Sequence, residues 1–509
     1  MPRDLEENMA MMTAEQYRES LRDGRLTYVD GHSIADITQE PCMRTAIDWV
    51  AEGYQRFYST EPGAYNPMYA MPSSKDDLAK RAEAGSQADI TFALAAVVLA
   101  LMTAAPELAK SNPEYKRRIE KFVDHCRRKD LRVCEAISDA KGDRSLAPSK
   151  QPDADAYVHV VDRKADGIVV RGCKMHITSA AVVHEIVVLP TKHMKPGEEQ
   201  YAVAFAVPVN APGIKILNTT YAPRVEDARH FPASGKRSMP EGFVVFDDVF
   251  VPTERVFLDG EVKHSSLLAH SLGLWERAGG LWGSAHQADL MVGLAALIAE
   301  ANGLEKTPHI RDKINEMIVY ATMIRAGAEA AWSKTGFNAD GMVQPDQLFT
   351  NVTKYFAAYH YHEVVRNLQD IAGALVVTAP TVADLENPET AGYVHKYMRA
   401  RADVPGEDRM RLFHLIRDLT ADAMGGWEMV TKSLAGGGMY AQRSVARTHY
   451  DLAAAKSIAQ EAAGIKPAGA APVANDASAN AATPSRTNGT STDSRHQAQA
   501  PVSAAGVKS

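Results

Sequence analysis

The chain has 509 residues, 45% of them apolar and 23% charged, with a net charge of −7. That balance excludes a disordered protein and offers no basic surface for nucleic acid. Four cysteines (Cys42, Cys126, Cys134 and Cys173) without Cys-x-x-Cys spacing exclude a disulfide framework and a zinc site, and fit a reducing cytoplasm.

The first residues carry no apolar run, so no secretory signal is expected. Thr13-Ala-Glu-Gln16 has the capping-box pattern, and a short helix should follow through Leu21. Gly24–Gly31 reads as a small strand closed by Asp30-Gly31, and residues 40–58 return to helical spacing. Ser74 precedes Asp76 and Asp77 at a helix start, where carboxylates complement the positive end of the dipole. The longest apolar run, Phe92 to Ala105, is shorter than the roughly 18 residues a membrane span requires. It is apolar on every face and reads as a buried core helix. Pro113 restarts a helix that runs to about Lys129.

Ser138–Ser149 then leads from helices into strands. It is polar, with Gly142 and Pro148 as punctuation, and sets Lys141 and Arg144 beside Asp139 and Asp143. Such a loop is a place to seat a large anionic cofactor. On composition alone a solvated connector with local ion pairs is the commoner case. From Tyr157 the apolar period becomes that of strands: Tyr157–Val161, Ile168–Val170, Glu185–Pro190, Tyr201–Val207, Ile214–Leu217 and Phe243–Phe246. Lys164–Gly167 is a hairpin turn whose glycine supplies a positive φ, and Pro252 turns the chain out of the sheet. This region is a sandwich or a barrel.

From about Ser265 to Ala463 the pattern is long helices. Thr307 caps one of them with Pro308 at its first position. Ile310, Ile314, Met317, Ile318, Ala321 and Ala328 fall on one face, as core or as a contact between subunits. Gly425-Gly426 and Gly436-Gly437-Gly438 break the region. The triple glycine lets backbone amides approach a ligand or another chain, or makes a flexible bend. Residues 467–509 contain no Leu, Ile, Phe, Tyr, Trp or Met and cannot offset their ordering entropy, so this tail is expected to be disordered. The expected organisation is a mainly helical domain (1–150), a β-domain (151–264), a helical bundle (265–466) and the tail.

Five stretches carry a resemblance: Ser138–Ser149, Asp166–Lys174, Val245–Pro252, Asp370–Pro380 and Gly436–Arg443. Through them the chain resembles the 4-hydroxyphenylacetate 3-hydroxylase family, nearest to its 4-hydroxybutyryl-CoA dehydratase branch. The resemblance implies an α+β, acyl-CoA dehydrogenase-like fold and an FAD site. In the family the loop matching Lys141, Gly142, Asp143, Arg144, Ala147, Pro148, Ser149 and Lys150 wraps the flavin. The threonine matching Thr178 lies against its ring, and the turn matching Gly436, Gly437 and Gly438 approaches from a neighbouring subunit. The family assembles as dimers of dimers, so a homotetramer is expected.

Two departures shape the functional expectation. The dehydratase's iron–sulfur ligands match the stretch Gln87–Phe92, which has no cysteine, and the positions of Glu276 and Gly283, so no cluster and no metal is expected. The phenol hydroxylases place a histidine where this chain has Glu135, which disfavours a phenolate and suits a neutral or cationic ring, unless Glu135 is a surface or loop residue. Arg277 and His286 are taken as pocket-lining. His176 could face the flavin, and His184 sits at a strand start. His360 and His362 do not share a helix face and do not read as a metal site. No Gly-x-Gly-x-x-Gly follows a strand, so nicotinamide binding is not expected in this chain.

The resemblance therefore implies a reduced-flavin (FADH2) monooxygenase, an oxidoreductase of aromatic catabolism. A separate NAD(P)H-dependent reductase would supply its flavin, and O2 would oxygenate a small aromatic or heteroaromatic ring. Neither membrane nor nucleic acid is expected as partner. The alternatives are a flavin-dependent lyase or isomerase acting on a CoA thioester, and a non-catalytic flavin-binding protein.

Overall fold

The computed structural model describes residues 11–223 and 227–465. The tail 467–509 lies outside the described residues. The chain divides into a large unit ending at Tyr450 and a short one from Asp451, whose helix Leu452–Ala462 is capped by the Asp451 side chain.

In the large unit helices come first. They are α1 (Ala14–Ser20), α2 (Pro41–Phe57), α3 (Lys75–Gln87), α4 (Ile90–Leu94), α5 (Ala96–Ala109) and α6 (Pro113–Arg128). The capping box at Thr13 and Gln16 is present, and Ser74 forms another with Asp77. The strand expected near residue 27 is a hairpin, β1 (Thr27–Val29) and β2 (His32–Ile34). Asp30 and Gly31 turn it at φ of 48° and 80°, the form that matches strand twist.

The long apolar run is two helices, not one: α4 ends and α5 starts at Ala95, which carries no capping side chain. Together Ile90–Ala109 has the length and composition to cross a membrane. However, 67% of its apolar window is buried inside the fold, in a core shared with α6 and with the helix from Ser265 described below.

The middle consists of β3 (Val133–Ala136), β4 (His159–Lys164), β5 (Gly167–Thr178), β6 (Glu185–Val188), β7 (Val203–Pro208), β8 (Ile214–Thr220), β9 (Pro240–Pro252) and β10 (Val256–Asp259). These form a six-stranded sheet, β2-β1-β8-β9-β5-β4, and a four-stranded sheet, β10-β7-β6-β3. Val170, Ile214 and Phe246 of the first share one core with Ile186, Phe205 and Val207 of the second. The rings of Phe205 and Phe246 meet edge to face at 5.9 Å, so the architecture is a sandwich. Gly167 is needed for a reason other than the one expected. Its φ is not positive; a Cβ there would lie 2.3 Å from the Val251 carbonyl oxygen of β9.

Helices return with α7 (Ser265–Ala301), α8 (Pro308–Ser333) and α9 (Gln347–Ala372). The short helices α10 (Leu375–Thr378), α11 (Val382–Glu386) and α12 (Ala391–Met398) follow, then α13 (Gly406–Thr420), α14 (Ala423–Leu434) and α15 (Met439–His449). At 37 residues α7 is about 55 Å long. Its first turns (Leu268, Leu272, Trp275) pack in the core of α5 and α6, while its later turns join α8 and α9.

The face expected as core or subunit contact divides, and one expected break is absent. Ile318 is 45% exposed while Met317 and Ala321 are buried. Eight residues at 100° each place it about 80° off the stripe begun by Ile310. Gly425 and Gly426 do not break the helix, because they lie in the first turn of α14. Gly425 is required there because a Cβ would lie 2.5 Å from the Thr420 carbonyl carbon.

Candidate active site

The loop after β3 hangs from a buried ion pair. Asp139 binds Lys174 of β5 at 2.8 Å and accepts the Val158 N–H at 2.9 Å. Lys174 also donates to the carbonyls of Ile137 and Leu189, each at 2.9 Å. Burial works against both charges, pushing the Asp139 carboxyl up and the Lys174 ammonium down, while each partner opposes this.

Beyond this anchor the loop is shaped by its own polar groups. Lys141 (φ 69°) and Gly142 (φ 50°) turn it, the Lys141 N–H donates to Ala156, and Gln151 bonds both N–H and C=O of Asp143. The Asp143 carboxylate accepts from Ser145. The expected local ion pairs are therefore not made. Asp139 is taken by Lys174 and Asp143 by Ser145, so Lys141, Arg144 and Lys150 have no ion pair among the described residues. Ala147 precedes a single 3-10 turn, Pro148–Lys150, with Pro148 buried and Ser149 and Lys150 exposed.

Lys174 continues along β5 to Thr178. Thr178 and Glu241 of β9 are direct cross-strand partners, and the Thr178 hydroxyl donates to the Glu241 carboxylate at 2.9 Å. The Trp427 indole donates to the same carboxylate at 3.2 Å, and its ring packs on Tyr221. Burial raises the Glu241 carboxyl to about 7, against the pull of those two donors.

A second polar centre forms where β3, α7, α9 and the glycine turn meet. Arg277 is buried; its Nε donates to the Gly436 carbonyl at 2.7 Å and its Nη1 to Asn351 at 2.6 Å. Gly436 and Gly437 sit at φ of 72° and 80°, and a Cβ on either would come within 3.1 Å of the Arg277 side chain. Gly438 precedes the first turn of α15, and Gln442 closes the turn on the Gly437 carbonyl. Glu276 lies beside Gly436; burial raises its carboxyl, and Lys354, Arg277 and the Gly436 backbone oppose that rise. Lys354 is buried, and desolvation lowers its ammonium to about 8. Glu135 enters from β3. Its Oε2 is buried without a hydrogen-bond partner, and burial together with Glu276 holds its carboxyl well above the usual range.

Residues 13–258 match the description 4-hydroxyphenylacetate 3-hydroxylase N terminal, and residues 267–464 match its C-terminal counterpart. The chain belongs to the 4-hydroxyphenylacetate 3-hydroxylase family. It is 31% identical to a 4-hydroxybutyryl-CoA dehydratase/vinylacetyl-CoA-Δ-isomerase of Clostridium aminobutyricum, over 90% of this chain and 100% of that one. It is 28% identical to the 4-hydroxyphenylacetate 3-monooxygenase oxygenase component of Thermus thermophilus, over 81% and 89%. Its fold superposes with a TM-score of 0.82 on the crystal structure of such an oxygenase component complexed with FAD, at 24% identity over 88% of this chain and 98% of that one.

Within this family fold, Glu135 and Arg277 converge around Glu276, and His286 does not join them. His286 is exposed and lines a separate cavity of about 420 Å³ between α3, α7 and α8, with Trp282, Trp332 and Arg325. His176 is exposed at a bulge in β5 with φ of 62°. His184 is a packing residue. Ser20 and the Arg132 N–H occupy its two ring nitrogens, and burial lowers it to about 3. Sequence reading missed Glu241 and Lys354, and named Glu276 only as a matched position. The alternation of β9 puts Glu241 on the half-exposed side and gave no signal, whereas the period of α9 does place Lys354 on the stripe of Ala358, Tyr361, Val365 and Leu368.

Proposed function

We propose that this chain is the oxygenase component of a two-component monooxygenase using reduced flavin. A separate NAD(P)H-dependent reductase supplies the flavin, and the substrate is a small aromatic or nitrogen-heteroaromatic ring. The observation that carries the reading is the Asp139–Lys174 anchor, which ties the cationic loop to the strand that ends in Thr178. The residues fit FAD. Lys141, Arg144 and Lys150 are free to meet its pyrophosphate, Gly142 and the glycine turn allow close backbone approach, and Thr178 offers a hydroxyl to the ring edge. Bound FAD, delivered reduced, supplies the reaction with O2.

The chain's own residues do the rest. Lys174 holds the loop, and Glu241 orients the Thr178 hydroxyl. Glu135 meets the substrate ring, and Arg277 fixes the glycine turn beside it. The apolar core shared by α5, α6 and α7 keeps water from the site's helical side. This reading takes the enzyme to work without an iron–sulfur cluster, because the matched positions carry Glu276 and Gly283 and no thiol. Exposed apolar side chains on α7 (Leu290, Leu297) and α8 (Ile318, Val319, Met323) support a homotetramer. A cytoplasmic location is part of the same proposal.

Oxygen consumption with FAD, NADH and a generic flavin reductase, against phenols, N-heterocycles and CoA thioesters, tests it. Substrate-dependent product carrying label from 18O2 is the expected result. The second reading, a lyase or isomerase on a CoA thioester, is favoured by the full-length match to the clostridial dehydratase. Dehydration or isomerisation of a thioester, with peroxide as the sole oxygen product, would establish it instead.

A further inference from the structure

The proposed function gives Glu135 a substrate and leaves Glu276 without a task. The strand alternation of β3 relates the two. Cys134 and Ala136 belong to the sandwich core, whereas Val133 belongs to the core shared with α5, α6 and the first turns of α7. Glu135 shares the Val133 side, so it points toward the core that α5, α6 and the first turns of α7 share. On α7, Glu276 follows Trp275 and lies one turn after Leu272, both members of that same core.

The two carboxyls are served unequally. Burial raises the Glu276 carboxyl too, but Lys354, Arg277 and the Gly436 backbone pull it down. Glu135 has none of these, and its Oε2 is buried without a partner. Negative charge is therefore stabilised on Glu276, and a proton on Glu135. Glu428 and Lys432 of α14 complete the charged surroundings, and Cys134 is the neighbouring titratable group on the strand.

We infer that Glu276 is a positioning residue that keeps Glu135 a neutral carboxylic acid, and that Glu135 reads a ring presenting an N–H beside a carbonyl. A neutral carboxyl offers one O–H donor and one carbonyl acceptor side by side. A cyclic amide such as 2-quinolone offers the matching acceptor and donor, so both hydrogen bonds form together. A phenolate offers charge and acceptors only, and an N-alkyl lactam has lost the donor. This rests on Glu135 being a substrate contact, and it narrows the substrate from nitrogen heterocycles to lactam-type rings.

The test is calorimetric binding of 2-quinolone and N-methyl-2-quinolone to the full-length protein, without turnover, across pH 6–9. The parent ring should bind about tenfold more tightly than the methylated one. Glu135→Gln keeps a donor and an acceptor and should bind the parent ring within about threefold of wild type. Glu135→Leu should lose about tenfold or more. Wild-type affinity should fall as rising pH ionises Glu135. In Glu276→Gln that fall should move to lower pH, because the charge holding the proton on Glu135 is gone; Glu135→Gln should show no such fall. Equal affinity for both rings, or a Leu variant as good as wild type, would overturn the lactam edge. An unmoved pH profile in Glu276→Gln would overturn its positioning role. Labelled oxygenation of a phenol without quinolone binding would sink this inference and leave the monooxygenase standing. Quinolone binding without any oxygenation would do the reverse.

Discussion

Lys174→Met removes the loop's anchor without changing side-chain length much. Lys174 is 1% exposed and makes three contacts: Asp139 at 2.8 Å and the Ile137 and Leu189 carbonyls at 2.9 Å each. Its loss leaves a buried carboxylate uncompensated, which costs roughly 3–5 kcal/mol. The stranded carbonyls add to this, so about 4 kcal/mol is a floor rather than a ceiling. Against a total of roughly 5–15 kcal/mol the domain should be visibly weakened.

The pH dependence follows from Asp139. Burial already raises its carboxyl above the ordinary value, and without Lys174 it rises further. A group whose folded pKa is raised contributes stability at low pH and loses it as pH rises. The penalty should therefore be smaller at pH 5.5 than at pH 8. Urea unfolding at both values measures it, and flavin titration reads the loop. If about 1.4 kcal/mol of the loss falls on the loop, FAD affinity drops about tenfold. Lys174→Met/Asp139→Leu removes both charges and should recover most of the stability. A single variant within about 1 kcal/mol of wild type at pH 8 would refute the argument, as would a double variant no better than the single.

Glu241 titrates at about 7 in the fold against an ordinary 4.5, so its stabilisation is complete below pH 4.5 and is lost as pH rises through 7. The loss is ~3 kcal/mol as an upper bound; Glu241→Gln keeps both donors bonded and should flatten that slope in denaturant titrations. Glu135→Leu, which removes both hydrogen bonds to the ring, should lower turnover at least about tenfold while FAD titration stays at wild-type affinity; undiminished turnover removes Glu135 from the site. Gly167→Ala places a methyl 2.3 Å from the Val251 carbonyl and should cost roughly 2–4 kcal/mol by forcing β5 from β9, read as a lowered Tm.

What the sequence made legible was local. The Thr13–Gln16 capping box, the Asp30-Gly31 turn and the start of α6 at Pro113 each depend on residues within a few positions of one another. Gly167 misled because its neighbour Val251 is brought to it only by the register of β5 on β9. Ala95 gave no sign of splitting the apolar run, because a helix can end on an alanine when packing favours it. The glycine turn at 436–438 was visible as composition, but its buried Arg277 partner arrives from α7. Glu241 was invisible for the same reason. A glutamate on a strand normally faces solvent, and only Trp427, arriving from α14, covers this one.

Glu135 shows how burial can reverse a charge argument. Read in isolation, a glutamate where phenol hydroxylases keep a histidine repels a phenolate and attracts a cation. In the fold its carboxyl is buried beside a second carboxyl that has the better claim to the local cations, Arg277 and Lys354. In the proposed site the two share one negative charge, held on Glu276, and the carboxyl that meets the ring is uncharged. Attraction of a cation is then weak, and selection passes to hydrogen-bond geometry, where a neutral acid discriminates by pattern rather than by charge. On this proposal the exchange of histidine for glutamate changes what the site recognises without setting a net charge against the substrate, and its consequences are carried by Glu276, a residue on another element 141 positions away.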